Sequence, residues 1–321
     1  MPVSQGGNCL QTGNGDLKMN HLNKLNSIKK ARRRVSMRSA LLLTLCACLL
    51  TTTGRIALLF FPSVVRPLPE LLLTLLAFGA GAYLGLCVLD GDQRKTVVRK
   101  ALDREQILFL SLLGVLCVCP ATLANDLVGA LFSSGAQGQA SGMAQGGEAA
   151  LFLVVLLKSG LVAPVCEELF FRGYLLGALR RSTQLRAVWV SALCFALAHG
   201  VTAGSLVVHV LLGILFGVVL LRTESVYASM LVHGCYNASV VLISYAGLSP
   251  LFTGLSLGSC LVRLAGCAAF AAVLKRVYML RPGTVPKTAP EEWDLSKKEK
   301  ILLISALVMT ALAAVIAGVL A

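Results

Sequence analysis

Apolar runs about twenty residues long follow one another along this chain, and a run of that length is what a helix needs to cross the hydrocarbon core of a bilayer. Inside that core every backbone N–H and C=O must find a partner within the segment, so such runs fold as helices. Composition agrees. Of 321 residues, 56% are hydrophobic and 14% charged, where soluble chains carry about a quarter charged residues. A soluble globular domain is excluded, and the expected class is an all-α, polytopic helical membrane protein.

Hydropathy and the polar breaks between runs predict about nine transmembrane helices. They are Ala40 to Phe61, Leu71 to Leu89, Ile107 to Phe132, Gly160 to Leu179, Ala187 to Val201, Ser205 to Leu221, Val226 to Tyr245, Phe252 to Leu274 and Ile301 to Ala321. The formal charge is +14, a balance that on a soluble chain would suggest nucleic acid. Most of the 29 Lys and Arg residues, however, sit between spans on one side of the expected topology. They serve as topology anchors and lipid-headgroup contacts, which argues against nucleic acid as a partner. The positive-inside rule then places the amino terminus in the cytoplasm.

Residues 1–38 read as a basic, disordered cytoplasmic tail, rich in Asn, Gly and Ser before the cluster Lys29, Lys30 and Arg32 to Arg34. Three amino-terminal spans occupy 39–132. A Gly/Ser/Gln-rich flexible outer loop covers 133–148, and further spans fill 149–250. The remainder, 251–321, holds the last spans and a polar linker at 281–300. The chain has eleven cysteines. The close pairs, Cys46 with Cys48 and Cys117 with Cys119, point apart on a helix, so packing is the better reading than disulfides or metal.

Chemistry is expected where ionisable groups sit at membrane depth, because their burial there is costly. Three clusters stand out: Glu167, Glu168 and Arg172; Phe195 and His199; and the i,i+4 pair His233 and Asn237. Glu167, His199 and Asn237 lie about 13 residues from Arg180, Arg186 and Glu224, the boundary markers of their spans, and His233 about nine. At roughly 1.5 Å per residue these groups share one layer, about 14 to 20 Å from the inner boundary. Glu168 and Arg172 suit an ion pair along one helical face. Glu167 is turned about 100° away and left free to act on water as a base. His209 falls in the same layer and reads as a packing or supporting residue. Lys158 is expected near the outer surface with its amine snorkelling, and Asn125 and Asp126 at the interface.

At these residues the sequence resembles the CPBP family of intramembrane endopeptidases. That family includes the type II CAAX prenyl proteases and the bacterial abortive-infection and bacteriocin-immunity proteins. Its three motifs appear as Glu167-Glu168-x-x-x-Arg172, Phe195-x-x-x-His199 and His233-x-x-x-Asn237. The resemblance makes 149–250 a catalytic core within a central helix bundle. It implies peptide-bond hydrolysis, with Glu167 and His199 activating water and His233 and Asn237 stabilising the oxyanion, while Glu168, Arg172 and Phe195 support them. Members are often called metalloproteases, and a metal-free glutamate mechanism is also proposed for the family. Glu167, His199 and His233 would be a plausible zinc set, but no His-Glu-x-x-His spacing occurs on one helix. The cofactor is therefore none or zinc.

The expected partners are a peptide or protein substrate at the membrane and the lipid bilayer. The substrate is a CAAX-type or leader-like peptide, and the membrane a bacterial cell membrane, with organellar and endoplasmic-reticulum membranes also open. Competing classes are a non-catalytic immunity or scaffold protein and an ion-coupled transporter. If the enzyme reading holds, Glu167, His199, His233 and Asn237 converge on one cavity open to the cytoplasmic side.

Overall fold

A computed structural model describes residues 37–58, 60–62, 65–89, 101–132, 149–179, 184–199 and 203–279. The expected tail, the outer loop at 133–148, the linker at 281–300 and the ninth span lie outside these residues. Among the described residues the fold is a helical bundle without a β-sheet. Its elements are α1 (Met37–Leu58), α2 (Pro67–Val88), α3 (Arg104–Leu131), α4 (Ala149–Leu179), α5 (Gln184–His199), α6 (Ala203–Thr223), α7 (Val226–Tyr245), the short α8 (Ser249–Phe252) and α9 (Leu257–Met279). Seven of these helices are long and apolar enough to cross a membrane, and α5 is a shorter apolar helix. The protein is a multi-pass helical membrane protein.

Most span ends shift by a few residues from those expected, and two starts shift by five or more. The fourth helix begins at Ala149 rather than Gly160. Lys158 interrupts the apolar run in sequence, but its ammonium is paired with Glu70 on α2, so its charge does not end the helix. The last described helix starts at Leu257 instead of Phe252, because Pro250 opens the separate turn α8 and Gly254, at φ 73°, takes the left-handed backbone that follows it. Helix α3 breaks at Cys117, three residues before Pro120, whose missing N–H interrupts the ladder. Its amino end carries a capping box between Asp103 and Gln106.

Helices α4 and α7 form the centre. α7 packs on α3, α4 and α6, and α4 also touches α1, α2 and α5. With lipid outside, helix association depends on close packing of small residues. A Cβ on Gly234 of α7 would stand 2.6 Å from the carbonyl oxygen of Gly160 on α4. A Cβ on Gly213 of α6 would stand 2.7 Å from Cα of Ala192 on α5. Both crossings therefore bring backbone against backbone, where neither side can yield. Gly234→Ala is expected to cost about 1–3 kcal/mol by overpacking, read as a lowered unfolding temperature in detergent. An unchanged transition would show that the α4–α7 crossing relaxes freely.

Cys48, Cys117, Cys119 and Cys166 are buried free thiols. Asp126, expected at the interface, instead pairs at 2.7 Å with the fully buried Arg263 of α9. That guanidinium also donates to the Gly254 carbonyl and to Ser259 O, tying α9 to the turn before it.

Candidate active site

Local structure on α4 explains how its polar groups are presented. Ala163 donates five residues back, to Lys158 O, in a π-helical segment at Lys158–Val162. The next residue in that register is Pro164, which has no N–H to give Ser159 O. Asn237 Nδ2 of α7 donates to that orphaned carbonyl at 2.9 Å. A turn further on, Glu167 and Glu168 end an α-helical stretch, and a second π segment runs from Leu169 to Leu175. Such wide turns recur at functional sites. Here the second one carries Arg172.

Glu167, Glu168, Arg172 and His233 are 3%, 0%, 0% and 4% exposed. Arg172 Nη1 donates to Glu168 Oε1 at 2.9 Å, and Nη2 donates to Gly213 O on α6 at 3.0 Å. Its guanidinium lies 4.6 Å from the Phe195 ring centre and 5.2 Å from that of Phe216. Phe195 is thus a shelf for the buried cation, while its ring also packs tilted against His199 and edge-on with His233. Two hydroxyls fix the helices around it: Ser191 Oγ donates to Phe171 O, and Ser229 Oγ to Phe216 O, both at 2.9 Å.

The imidazoles are oriented by fixed acceptors. His199 Nδ1 lies 2.8 Å from Phe195 O, and His209 Nδ1 lies 2.7 Å from Ser205 O. A carbonyl only accepts, so each Nδ1 carries the hydrogen. His233 Nδ1 sits 3.0 Å from Glu168 Oε1, an oxygen already held by Arg172, and is likewise the donor. In the neutral rings the lone pair is therefore at Nε2. Glu167 Oε2 stands 3.3 Å from His199 Nε2 and 3.8 Å from His233 Nε2. Two facing acceptors need a proton between them. Glu167 Oε2 is thus placed to share a proton with His199 Nε2, and His233 Nε2 lies just beyond hydrogen-bond reach of the same oxygen.

These groups line a cavity of about 160 Å³ with Arg55, Glu70, Lys158, His209 and Asn237. The structure therefore brings Glu167, His199, His233 and Asn237 to one place, with Glu168, Arg172 and Phe195 packed behind them. His209 belongs to the same wall, its ring stacked on His199 at 4.9 Å and 11°. The cavity reaches Arg55 near the end of α1, Glu70 in the opening turn of α2 and Lys158 in the third turn of α4. That end is opposite the one where Arg186 begins α5 and Arg222 ends α6. The Lys158 amine pairs with Glu70, its side chain 16% exposed. Among the described residues no group of His, Cys, Asp and Glu side chains is arranged to hold a metal ion, so the zinc set finds no support in the geometry.

Sequence reasoning gives Arg55 and Glu70 no place at the site. Arg55 is visible as a charge in an apolar run, but nothing in the sequence tells which helix face α1 turns towards α5.

The fold and site define a polytopic helical membrane protein with a buried carboxylate–imidazole centre. Residues 149–239, which run from the start of α4 into α7, match the family model of the type II CAAX prenyl endopeptidase Rce1-like proteins. The match covers all three motifs and agrees with the resemblance read from them. No curated protein and no solved structure matches the chain.

Proposed function

We propose that the protein is an intramembrane endopeptidase that hydrolyses a peptide bond near the carboxyl terminus of a CAAX-type, prenylated substrate. The observation that carries this reading is the contact of one buried carboxylate, Glu167, with two imidazole Nε2 atoms in a polar cavity at membrane depth. Glu167 accepts a proton from water as the water oxygen attacks the scissile carbonyl. His199, in contact with the same carboxyl oxygen, receives that proton at Nε2 and delivers it to the departing amine. Its Nδ1 bond to Phe195 O holds the ring in the tautomer this relay requires.

Asn237 keeps one amide hydrogen for the developing oxyanion after giving the other to Ser159 O. His233 joins it only as an imidazolium, because its neutral form carries the proton at Nδ1, towards Glu168. The oxyanion role inferred for His233 thus depends on a proton residing on His233 Nε2 in the transition state. Glu168 and Arg172 act on the reaction through that ring, as positioning residues.

The test is incubation of the purified, detergent-solubilised protein with an S-farnesyl peptide ending in Cys-aliphatic-aliphatic-X, with the released carboxyl-terminal fragment read by mass spectrometry. Hydrolysis is expected, and it should persist after exhaustive chelation. Loss of activity on chelation with recovery on added zinc would replace the Glu167–His199 water mechanism by a metal-held one. No release from prenylated or unprenylated peptides would remove the peptidase reading.

A further inference from the structure

Of the two cations that line the site cavity, one is matched by a carboxylate among the described residues, as are the fully buried Arg172 and Arg263. Arg172 has Glu168, Arg263 has Asp126, and Lys158 has Glu70. Arg55 of α1 has no carboxylate within ion-pair distance among the described residues, and its one hydrogen bond runs from Nη1 to Ala198 O at 3.1 Å. Arg55 is half-buried in the last turn of α1, and a guanidinium kept in a poorly solvated cavity marks a pairing or a ligand path. Arg55 lines the same cavity as Glu167, and its anchor, Ala198, is the residue next to His199.

We infer that Arg55 is the binding site for an organic carboxylate, and specifically for the free α-carboxylate at the carboxyl terminus of the peptide substrate. This rests on the peptidase reading for its substrate class. The geometry favours it in three ways. A guanidinium receives a carboxylate in a two-pronged pair, with donors left over after the Ala198 bond. The competing cation in the cavity, Lys158, is already neutralised by Glu70. The site is also close to the reacting groups: an extended chain advances about 3.3–3.6 Å per residue, so a terminus held at Arg55 places a bond only a few residues upstream at Glu167. Leu73 and Leu212, which share the lining, supply apolar wall for the side chains between. The site would then measure distance from the chain end and reject internal peptide bonds, whose segments bring no charge to offset Arg55.

The experiment compares two S-farnesyl peptides of one sequence, one ending in a free carboxylate and one in a carboxamide, on wild type, Arg55→Gln and Arg55→Lys. Wild type should favour the acid by at least tenfold in kcat/KM, mainly through KM. Arg55→Gln should bring that ratio close to one, and Arg55→Lys should keep only part of it, because an ammonium retains the charge but not the two-pronged geometry. Thermal unfolding in detergent checks the fold of each variant. Equal use of acid and amide by wild type would overturn the assignment without any variant, as would full discrimination retained in Arg55→Gln. Such indifference, together with tighter retention of anionic than zwitterionic lipid by wild type over Arg55→Gln, would reassign Arg55 to a lipid phosphate.

Direct binding of the same two peptides to Glu167→Gln protein, read by fluorescence anisotropy, separates this inference from the peptidase reading. Acid-selective binding that disappears on adding Arg55→Gln supports the carboxylate site even where wild type hydrolyses nothing. Hydrolysis by wild type with no acid selectivity sinks the carboxylate site and leaves the peptidase standing.

Discussion

Glu167→Gln should lower peptide hydrolysis by about 10²- to 10⁴-fold, the usual contribution of a positioned general base, and leave the fold intact. The amide is close in shape to the carboxylate it replaces, and its N–H can donate to the lone pair at His199 Nε2, which in the wild type lies 3.3 Å from Glu167 Oε2. The variant thereby satisfies the pocket without the shared proton, so the same change that removes the base also removes the need for that proton. Turnover of the farnesyl peptide and thermal unfolding in detergent are measured side by side. A large fall in kcat with an unfolding temperature near wild type is the expected pair of results. Equal hydrolysis in both proteins would return the buried network to a structural or transport role, the classes that compete with the enzyme on sequence grounds.

The meeting of the polar residues is partly legible in the sequence. Spans of alternating direction that keep costly groups at equal depth have reason to place them together, and Glu167, His199, His233 and Asn237 do share a cavity. The Glu168–Arg172 pair also follows from spacing, since an i,i+4 offset brings the two side chains to one face. Depth along an axis says nothing about rotation around it, however. The fit of Arg55 against Ala198, the Glu70–Lys158 pair and the stacking of His209 on His199 all depend on which face each helix turns inward. None of these has a local sequence signal.

The π segments are illegible for a related reason. Pro164 announces a disturbed ladder, but whether the helix kinks, ends or widens is decided by what can satisfy the freed carbonyl. That partner is Asn237, 78 residues away in sequence. Asn237 therefore has two physical jobs, one at the backbone of α4 and one facing the cavity. Only the second is suggested by its place in a motif.

Arg172→Ala should be the most destabilising of the single changes considered, at about 3–5 kcal/mol, the range for breaking a buried pair by removing one partner. The loss has three sources in the structure. Glu168, fully buried, keeps its charge but loses the 2.9 Å bond from Nη1. Gly213 O loses its donor at the crossing where α6 lies against α5. Phe195 and Phe216 lose the cation between them and face a cavity the size of the missing side chain. The double variant Glu168→Gln with Arg172→Met separates charge from packing, because it removes both charges and refills most of the volume. It should recover more than half of the stability lost by Arg172→Ala, as buried ion pairs often do when replaced as a unit. Activity should stay low, since the Gln carbonyl accepts from His233 Nδ1 but brings no negative charge beside the ring. Unfolding temperatures and turnover of the three proteins test this. If the double variant were no more stable than Arg172→Ala, the unpaired carboxylate would not be the source of the loss. If it regained full turnover, the charge of Glu168 beside His233 would have no part in the reaction.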